Sequence, residues 1–461
     1  MGQLFVKKLV RLKKAIALFC SFLIILSCFF CVSVNAKDVF PDTSGANYVY
    51  LYNFDGDKTI YHKGSDTAKI SPASTVKMMS GLLAIELLEC RLDEYVTLTS
   101  DMLMGVEGFS VGLKAGDILK IEDLLYCLIC GGGNDAAVAI ANICSSSVDS
   151  FVSEMNALAI EYGMQGTKYA NPTGIDDSQM YTCLNDVVTL SKIAIQSELF
   201  LKISSTASYS FLKENSNEIK NIANRNALIS SFSAIGYQNK SVRGLNAGMT
   251  ENGGYCVSAY ATDGQDTYLC VVMGGRELSN GKIGSYSIAN SLLEHMFENY
   301  TYTQIASKGD VIGSISVELA LPTNGTDAVY VDCQLENDIY AFAPKNINYK
   351  NKLTYKTYFH SNALRAPVYE NTVVGGVDIY YEDTYLASAR ILTKDGAESS
   401  KLLTVLDKMK GFTLSRPVLL FIILLIPALL LYFYFKVWKR KLNRRKALRK
   451  SDKASYSIRK K

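Results

Sequence analysis

An apolar segment close to the end of the chain, residues 418–435, constrains the fold more than any other feature of the sequence. It is almost uninterrupted, and Pro427 is its one residue able to bend a helix. A bilayer core takes about 20 such residues in a helix, and hydrocarbon leaves the backbone N–H and C=O groups no partners except each other. The segment therefore predicts a transmembrane helix, with the rest of the chain divided between its two sides.

Residues 436–461, which follow this segment, form a strongly basic tail. They hold thirteen Lys or Arg residues against the single acid Asp452, and such a cluster beside a span is typical of the cytoplasmic side. A nucleic-acid-binding arm is the alternative, but the position next to the span favours attachment to anionic lipid. Residues 37–435 carry 43 acidic against 30 basic side chains, a net charge of −13, which argues against nucleic acid as a partner. We expect a cell-membrane protein whose body is extracytoplasmic and whose tail is cytoplasmic.

The first 36 residues have the pattern of a secretory signal peptide. Five basic residues within positions 7–14 precede an apolar run over residues 15–34, and the segment ends in Val34-Asn35-Ala36, which suits signal peptidase. We expect residues 1–36 to be removed by cleavage before Lys37. The apolar run is also long enough to cross a bilayer uncut, so a retained anchor is the alternative.

The cysteines and histidines do not indicate a metal site or a disulfide framework. Eight of the eleven cysteines lie beyond residue 36 and are widely spread, unlike those of a small disulfide-bonded domain. Cys127 and Cys130 lie in an apolar run with no second pair at ligand spacing, which favours two buried core cysteines over a zinc or redox site. His62, His295 and His360 are far apart and in no ligand motif. We predict no metal and no cofactor.

The hydrophobic pattern divides the part between the two ends. Residues 37–300 open with a hairpin pattern, continue with helical periodicity and return to strands after Gly244, which predicts an α/β domain with a mixed sheet and a central helical cluster. Residues 301–397 have short Val-, Ile- and Tyr-rich strands that predict a small all-β domain, and residues 398–417 are expected to be a linker to the span. The predicted helices cover residues 74–88, 121–130, 134–144, 148–162, 185–196 and 285–300, and the predicted strands of the all-β domain cover 311–317, 328–333, 353–359, 375–381 and 385–392.

A candidate catalytic pair stands at the start of the first predicted helix. Ser74 falls in its first turn and Lys77 three positions on, so a hydroxyl and an amine share one face. A serine hydroxyl becomes a nucleophile when a neighbouring base takes its proton, and a lysine whose pKa is lowered can be that base. The helix N-terminus adds positive potential where an oxyanion would form. Taken alone, the spacing also fits a helix-capping serine beside a solvated lysine.

Five blocks in a fixed order surround and include this pair. They read Pro72-Ala73-Ser74-Thr75-Val76-Lys77-Met78-Met79, Gly112-Leu113-Lys114-Ala115-Gly116-Asp117 with Glu122-Asp123-Leu124-Leu125, Gly133-Asn134-Asp135-Ala136-Ala137-Val138-Ala139, Asn171-Pro172-Thr173-Gly174-Ile175-Asp176-Asp177, and residues 242–255. In these blocks the chain resembles the low-molecular-mass penicillin-binding proteins, specifically the D-alanyl-D-alanine carboxypeptidase family, over most of residues 40–395.

The resemblance implies both a fold and a reaction. The implied fold is a penicillin-binding/β-lactamase-like α/β domain, followed by a β-rich module and a C-terminal membrane attachment. The implied reaction is acylation of Ser74, with Lys77 as general base, by a peptidoglycan stem peptide ending in D-Ala-D-Ala, followed by hydrolysis. The resemblance also implies that β-lactam antibiotics are acylating inhibitors.

The second family motif, S-x-N, is altered in this chain. The sequence there reads Gly132-Gly133-Asn134. The resemblance implies that Asn134 can still orient the substrate or Lys77. The hydroxyl that helps to pass a proton to the departing D-Ala is missing at Gly132.

The third family motif, K-T-G, is altered as well and reads Asn246-Ala247-Gly248. The ammonium and the hydroxyl that would bind the terminal carboxylate of the substrate are therefore both absent from this substrate-binding segment. The resemblance places the oxyanion donors on the backbone N–H groups of Ser74 and Met249, which these substitutions leave in place.

Two functions from different classes fit these observations. The intact Ser74 and Lys77 favour a serine D-Ala-D-Ala carboxypeptidase, whereas the altered positions favour a non-catalytic protein that binds or senses peptidoglycan. A β-lactamase is a third possibility, which the appended β domain and the span disfavour. Arg243 is a candidate replacement cation, but it lies three residues before Asn246 on a predicted strand and should point to the opposite face.

Overall fold

The computed structural model describes residues 40–232, 234–321, 329–413 and 416–458. The predicted signal peptide, residues 1–36, lies outside the described residues. The chain divides into two compact units, the first ending at Thr301 and the second beginning at Tyr302.

The first unit opens with strands, has most of its helices in the middle, and returns to strands before a final helix. The strands are β1 (Ala46–Asn53), β2 (Lys58–Lys63), β3 (Tyr95–Thr97), β4 (Ile118–Lys120), β5 (Ser208–Leu212), β6 (Ile219–Ala223), β7 (Val242–Thr250), β8 (Gly254–Thr262) and β9 (Thr267–Gly275). The helices are α1 (Val76–Leu88), α2 (Ile121–Leu125), α3 (Asn134–Cys144), α4 (Val148–Glu161), α5 (Leu184–Gln196), α6 (Glu198–Ser205) and α7 (Gly284–Asn299). The predicted helices agree closely with α1, α3, α4, α5 and α7, whereas α6 and the β5–β6 hairpin were not predicted.

The main sheet has the strand order β2-β1-β9-β8-β7. Every pairing among these five strands is antiparallel, so the prediction of a mixed sheet is wrong in this detail. Short turns join three of the four pairs, and such turns permit only antiparallel neighbours. The fourth pair joins the two ends of the unit, with Tyr50 of β1 opposite Val271 of β9.

Helix α1 forms the centre of the core. All residues from 76 to 85 are buried, and a helix that is buried on every side belongs to the interior of a large domain. Burial of the Ser80 hydroxyl is compensated because it donates to the carbonyl of Pro172 at 2.7 Å. The N-terminal end of this buried helix carries the predicted catalytic pair.

The segment predicted as one helix over residues 121–130 contains two kinds of helical turn. Helix α2 ends at Leu125, and a π-helical turn, Tyr126–Cys130, follows it. Cys127 and Cys130 are both fully buried there, and burial raises the pKa of the Cys130 thiol to about 12. Both thiols are free. The burial of the two side chains in the core agrees with the prediction.

The strands that follow α7 confirm the predicted all-β domain, which belongs to the second unit except for the first two residues of β10. Its strands are β10 (Tyr300–Ala306), β11 (Val311–Glu318), β12 (Val329–Leu335), β13 (Ile339–Pro344), β14 (Leu353–Phe359), β15 (Leu364–Arg365), β16 (Val373–Tyr381) and β17 (Thr384–Thr393). Six of them form a sheet in the order β14-β16-β17-β12-β11-β15, and β10 pairs with β13. The pairing of β10 with β13 was not predicted.

A helix, α8 (Lys401–Thr413), occupies most of the segment predicted to be a linker. Leu402, Leu406 and Met409 recur at helical spacing, a signal that the surrounding polar residues obscured. Helix α9 (Arg416–Ile458) follows and includes the predicted transmembrane residues. Its part from Leu420 to Lys446 is long and apolar enough to cross a membrane, and none of its apolar window is buried within the protein.

Candidate active site

Ser74 lies in a tight 3-10 turn, Ala73–Thr75, that leads into α1. Ala73 has a φ of +47°, a left-handed conformation that costs a non-glycine residue about 1–2 kcal/mol. Gly174 packs directly on this turn, because a Cβ at position 174 would lie 2.0 Å from the carbonyl oxygen of Ala73. The loop that contains Gly174 therefore holds the strained turn, and with it Ser74, in place.

Lys77 is buried, with 4% of its surface exposed. Its ammonium group donates a hydrogen bond to the carbonyl of Thr173 at 2.5 Å. Burial lowers the pKa of Lys77 to about 7, the positive charge of Arg225 lowers it as well, and the negative charge of Asp135 opposes them. A large fraction of this amine is therefore neutral at neutral pH, as a general base requires.

Asn134 begins α3 beside the same cleft. Its Nδ2 donates to the carbonyl of Glu107 at 2.7 Å, whereas its Oδ1 is buried without a hydrogen-bond partner among the described residues. That oxygen is available to an N–H group of a ligand. The adjacent carboxylate, Asp135, accepts hydrogen bonds from Ser110 Oγ at 2.6 Å and from Leu113 N at 2.8 Å. Asp135 thus fixes the loop that forms one wall of the cleft.

Gly132, at the position of the family's second serine, has a left-handed φ of +67°. A Cβ built on it would lie 2.9 Å from Cγ and 3.5 Å from Cβ of Arg225. Those atoms belong to the stem of the arginine rather than to its flexible end. The Arg225 stem therefore occupies the space that a side chain at position 132 would need.

We expect Gly132→Ser to lower the stability of the protein. The left-handed backbone costs about 1–2 kcal/mol, and contact with the Arg225 stem adds about 1–3 kcal/mol of overpacking. Gly116→Ser is the matched control, because Gly116 has a φ of +94° but no atom within 4 Å of its Cβ position. The midpoint of thermal unfolding should fall further for Gly132→Ser than for Gly116→Ser, and adding Arg225→Ala should remove the difference. Equal midpoints for the two serine variants would contradict the packing described here.

Strand β7 forms the opposite wall of the cleft. A Cβ at Gly248 would lie 2.2 Å from Oγ of Ser74, so the strand backbone packs against the hydroxyl. Met249 follows and is half exposed. Asn246 is buried with 7% of its surface exposed, and its Oδ1 has no hydrogen-bond partner among the described residues.

Asp176 connects three segments around the cleft. Its carboxylate accepts hydrogen bonds from Ser71 Oγ at 2.8 Å, Thr250 Oγ1 at 2.9 Å and the backbone N–H of Asn252 at 2.9 Å. These bonds join the segment before Ser74 to the end of β7. The distance between the hydroxyl and the strand therefore depends on a side chain outside the three motifs.

The cleft itself has a volume of about 130 Å³. Seven of the eight residues proposed from the sequence line it: Ser74, Lys77, Gly132, Asn134, Ala247, Gly248 and Met249. The eighth, Asn246, is not among the described lining residues. Arg225 also lines the cleft, but it was not predicted from the sequence. It lies in a stretch without clear periodicity, and the only signal there is the sequence Asn224-Arg225-Asn226.

Arg243, the cation considered in the sequence, lies elsewhere. It is exposed on β7, and its guanidinium donates to the carbonyl of Val242 at 3.1 Å. It is not among the described lining residues of the cleft.

The cleft therefore offers three chemical groups: a serine hydroxyl, an amine with a pKa of about 7 and an arginine. This set of groups suits attack on the carbonyl of an anionic ligand.

Comparison with known proteins relates both units to described families. Residues 35–277 match the family model "D-alanyl-D-alanine carboxypeptidase", and residues 300–399 match "Penicillin-binding protein 5, C-terminal domain". D-alanyl-D-alanine carboxypeptidase DacF of Bacillus subtilis (strain 168) is 24% identical over 369 residues, covering 79% of this chain and 89% of that protein. DacD of Escherichia coli (strain K12) is 26% identical over 377 residues, covering 80% of this chain and 90% of that protein.

Solved structures show the same fold. Penicillin binding protein 5 from Haemophilus influenzae superposes with a TM-score of 0.53 at 23% identity, covering 78% of this chain and all of that one. The D-alanyl-D-alanine carboxypeptidase DacD from Francisella tularensis superposes with a TM-score of 0.57 at 18% identity, covering 80% and 98%. These similarities confirm the predicted α/β domain of penicillin-binding type followed by an all-β domain.

Proposed function

This chain belongs to the D-alanyl-D-alanine carboxypeptidase family, and we propose that it is a serine peptidase acylated at Ser74 by peptidoglycan stem peptides ending in D-Ala-D-Ala. The observation that carries the proposal is the position of Lys77, which is buried with 4% of its surface exposed and lines the same cleft as Ser74. A solvated lysine beside a helix-capping serine would keep its ordinary pKa, whereas here burial brings the pKa to about 7. The amine can therefore accept the proton of Ser74 at neutral pH.

The proposed reaction has two steps. Oγ of Ser74 attacks the carbonyl carbon of the penultimate D-Ala while the Lys77 amine takes the hydroxyl proton. The resulting oxyanion is stabilised by the backbone N–H groups of Ser74 and Met249. The C–N bond then breaks as the departing D-Ala nitrogen receives the proton that Lys77 took from Ser74, and water hydrolyses the ester. The free Oδ1 of Asn134 is the group that orients a substrate N–H.

Labelled penicillin tests this proposal on the full chain in detergent. We expect covalent label on the wild-type chain and none on the Ser74→Ala variant. A wild-type chain that takes up no label at any concentration, although it is folded, would refute the proposed acylation. Release of D-Ala from a stem pentapeptide would then show whether the acylated serine turns over.

We also expect acylation to depend on pH through Lys77. Only the neutral amine can take a proton, and its pKa is about 7. The second-order rate constant for labelling should therefore rise with pH to a plateau above pH 8, and fall about tenfold per unit below pH 7. Unfolding midpoints measured across the same range provide the control. A rate constant that is constant from pH 5.5 to 8 would mean that Lys77 is not the base.

A non-catalytic peptidoglycan-binding function is the second candidate. It is favoured by Gly132, Asn246 and Ala247, which lack the hydroxyl and ammonium groups of the family motifs. A chain that binds stem peptide but takes up no penicillin would support it. A chain that hydrolyses penicillin rapidly would instead indicate a β-lactamase.

The membrane arrangement is part of the same proposal. The apolar residues 418–435, most of which lie in the candidate span Leu420–Lys446, anchor the protein in the cell membrane, with residues 37–417 extracytoplasmic and the basic residues 436–461 on the cytoplasmic side against anionic lipid. Protease added to intact protoplasts should remove the folded part and spare a tag placed after Lys461. Loss of the tag under the same conditions would reverse the proposed topology.

A further inference from the structure

Arg225 is the one residue with a permanent positive charge among the described residues that line the cleft, and none of these residues is acidic. The other basic side chain, Lys77, is buried and has a pKa of about 7, so its charge is not constant near neutral pH. An arginine guanidinium stays protonated under all physiological conditions. The cleft therefore offers a fixed positive charge to a ligand.

The backbone around Arg225 is held rigidly. Asn224, which is 3% exposed, donates from Nδ2 to the carbonyls of Ser204 at 2.9 Å and Thr206 at 2.8 Å. The N–H of Arg225 donates to the carbonyl of Cys130 at 3.0 Å. This last bond ties the arginine to the segment that leads into Gly132.

The side chain of Arg225 is also positioned. Its guanidinium lies over the ring of Phe109 at 4.0 Å from the centroid, in a cation–π contact. Its stem occupies the space beside Gly132. Phe109, Gly132 and Arg225 all line the cleft, so the guanidinium lies against the ring of a cleft-lining residue.

The three altered motif positions can be explained together by this arrangement. Strand β7 carries no ammonium group at Asn246 and no hydroxyl at Ala247, and none of its residues that line the cleft is positively charged. Across the cleft, the absence of a side chain at Gly132 leaves room for the arginine stem. In this chain the permanent positive charge of the cleft is therefore carried by Arg225 rather than by β7.

From this geometry we propose that Arg225 binds the C-terminal carboxylate of the ligand in this cleft, in place of the groups that positions 246 and 247 lack. The ligand class follows from the chemistry. A guanidinium binds a carboxylate through two parallel charge-assisted hydrogen bonds. The cleft therefore accepts peptides with a free C-terminal carboxylate and discriminates against the same peptides with a C-terminal amide. The inference rests on the proposed function for the choice of ligand.

The test measures binding rather than turnover. A fluorescent stem pentapeptide ending in D-Ala-D-Ala is titrated with the full-length Ser74→Ala chain in detergent, once as the free acid and once as the C-terminal carboxamide. Fluorescence anisotropy gives the two dissociation constants. We expect the free acid to bind about 10- to 100-fold more tightly than the amide, the range for one charge-assisted contact.

Variants at position 225 identify the source of that preference. Arg225→Gln should reduce the ratio of the two dissociation constants to about one, and Arg225→Lys should give an intermediate ratio. Arg243→Gln is the matched control, because Arg243 is an exposed arginine on β7 outside the cleft, and it should leave the ratio unchanged. Thermal unfolding midpoints show whether each variant is folded. If Arg225→Gln does not fold, a ratio for Arg225→Lys equal to that with Arg225 would overturn the proposal.

Three further results would overturn it. These are an unchanged ratio in folded Arg225→Gln, equal binding of acid and amide with Arg225 in place, and no binding of either peptide. The outcome is separable from that of the proposed function. If the chain prefers the free acid but takes up no penicillin, the carboxylate site stands and the proposed acylation is refuted. If the chain takes up penicillin but binds acid and amide equally, the acylation stands and the carboxylate site is refuted.

Discussion

Replacement of Gly248 by alanine is expected to abolish acylation of Ser74 while leaving the protein folded. The added Cβ would lie 2.2 Å from Oγ and 2.4 Å from Cβ of Ser74, distances that non-bonded atoms do not adopt. The backbone of Gly248 has no left-handed φ, and the residue pairs regularly with Cys256 of β8. Strand β7 can therefore accommodate alanine, and the contact displaces the nucleophile. We expect the rate constant for penicillin labelling to fall at least about 100-fold.

Gly313→Ala is the control for this experiment. Gly313 also lies in a strand, β11, has no left-handed φ, and has no atom within 4 Å of its Cβ position. The rate constant for penicillin labelling of this variant should equal that of the wild type. Labelling of Gly248→Ala at the wild-type rate, with an unchanged unfolding midpoint, would show that Ser74 does not pack against β7 in solution.

Lys77→Met is expected to lower the rate constant for labelling by about 10²- to 10⁴-fold, the usual contribution of a general base. Methionine keeps most of the length and volume of the lysine side chain, so the buried position stays filled. The substitution removes the amine, and with it the donor to the carbonyl of Thr173. The small rate that is left should lose its dependence on pH near 7.

Lys202→Met is the matched control, because the side chain of Lys202 on α6 is 61% exposed. It should label like the wild type. If Lys77→Met kept more than half of the wild-type rate constant while remaining folded, the base would have to be another group, and the mechanism proposed for Ser74 would be wrong.

Local sequence patterns were sufficient to predict most elements and the pair of Ser74 and Lys77, whereas the other site residues were implied by the resemblance to the carboxypeptidase family. The pair of Ser74 and Lys77 needs only three residues of helical geometry, and Asn134 begins a helix whose apolar periodicity is clear. The hairpin of β1 and β2 follows from alternation on either side of Asp55-Gly56. In each case the signal lies within one element.

The features that were missed depend on contacts between distant segments. Arg225 reaches the cleft from a loop between two strands, and its role depends on the absence of a side chain at Gly132, 93 positions earlier in the chain. The proximity of Gly248 to Ser74 likewise depends on how β7 is placed in the sheet. The antiparallel direction of β1 relative to β9 is also a property of the assembled unit. Periodicity carries no information about such distances.

The closure of the sheet by β1 and β9 bears on when the nucleophile can first react. Asn53 and Thr267 are hydrogen-bonded although they are 214 positions apart, and contacts between such distant residues form late because a long loop must be ordered first. A nascent chain that ends before β7 contains Ser74 and Lys77 but lacks the strand against which the hydroxyl packs. Such a chain should be inert toward penicillin, so labelling would distinguish chains that extend beyond the strands of the main sheet from shorter ones.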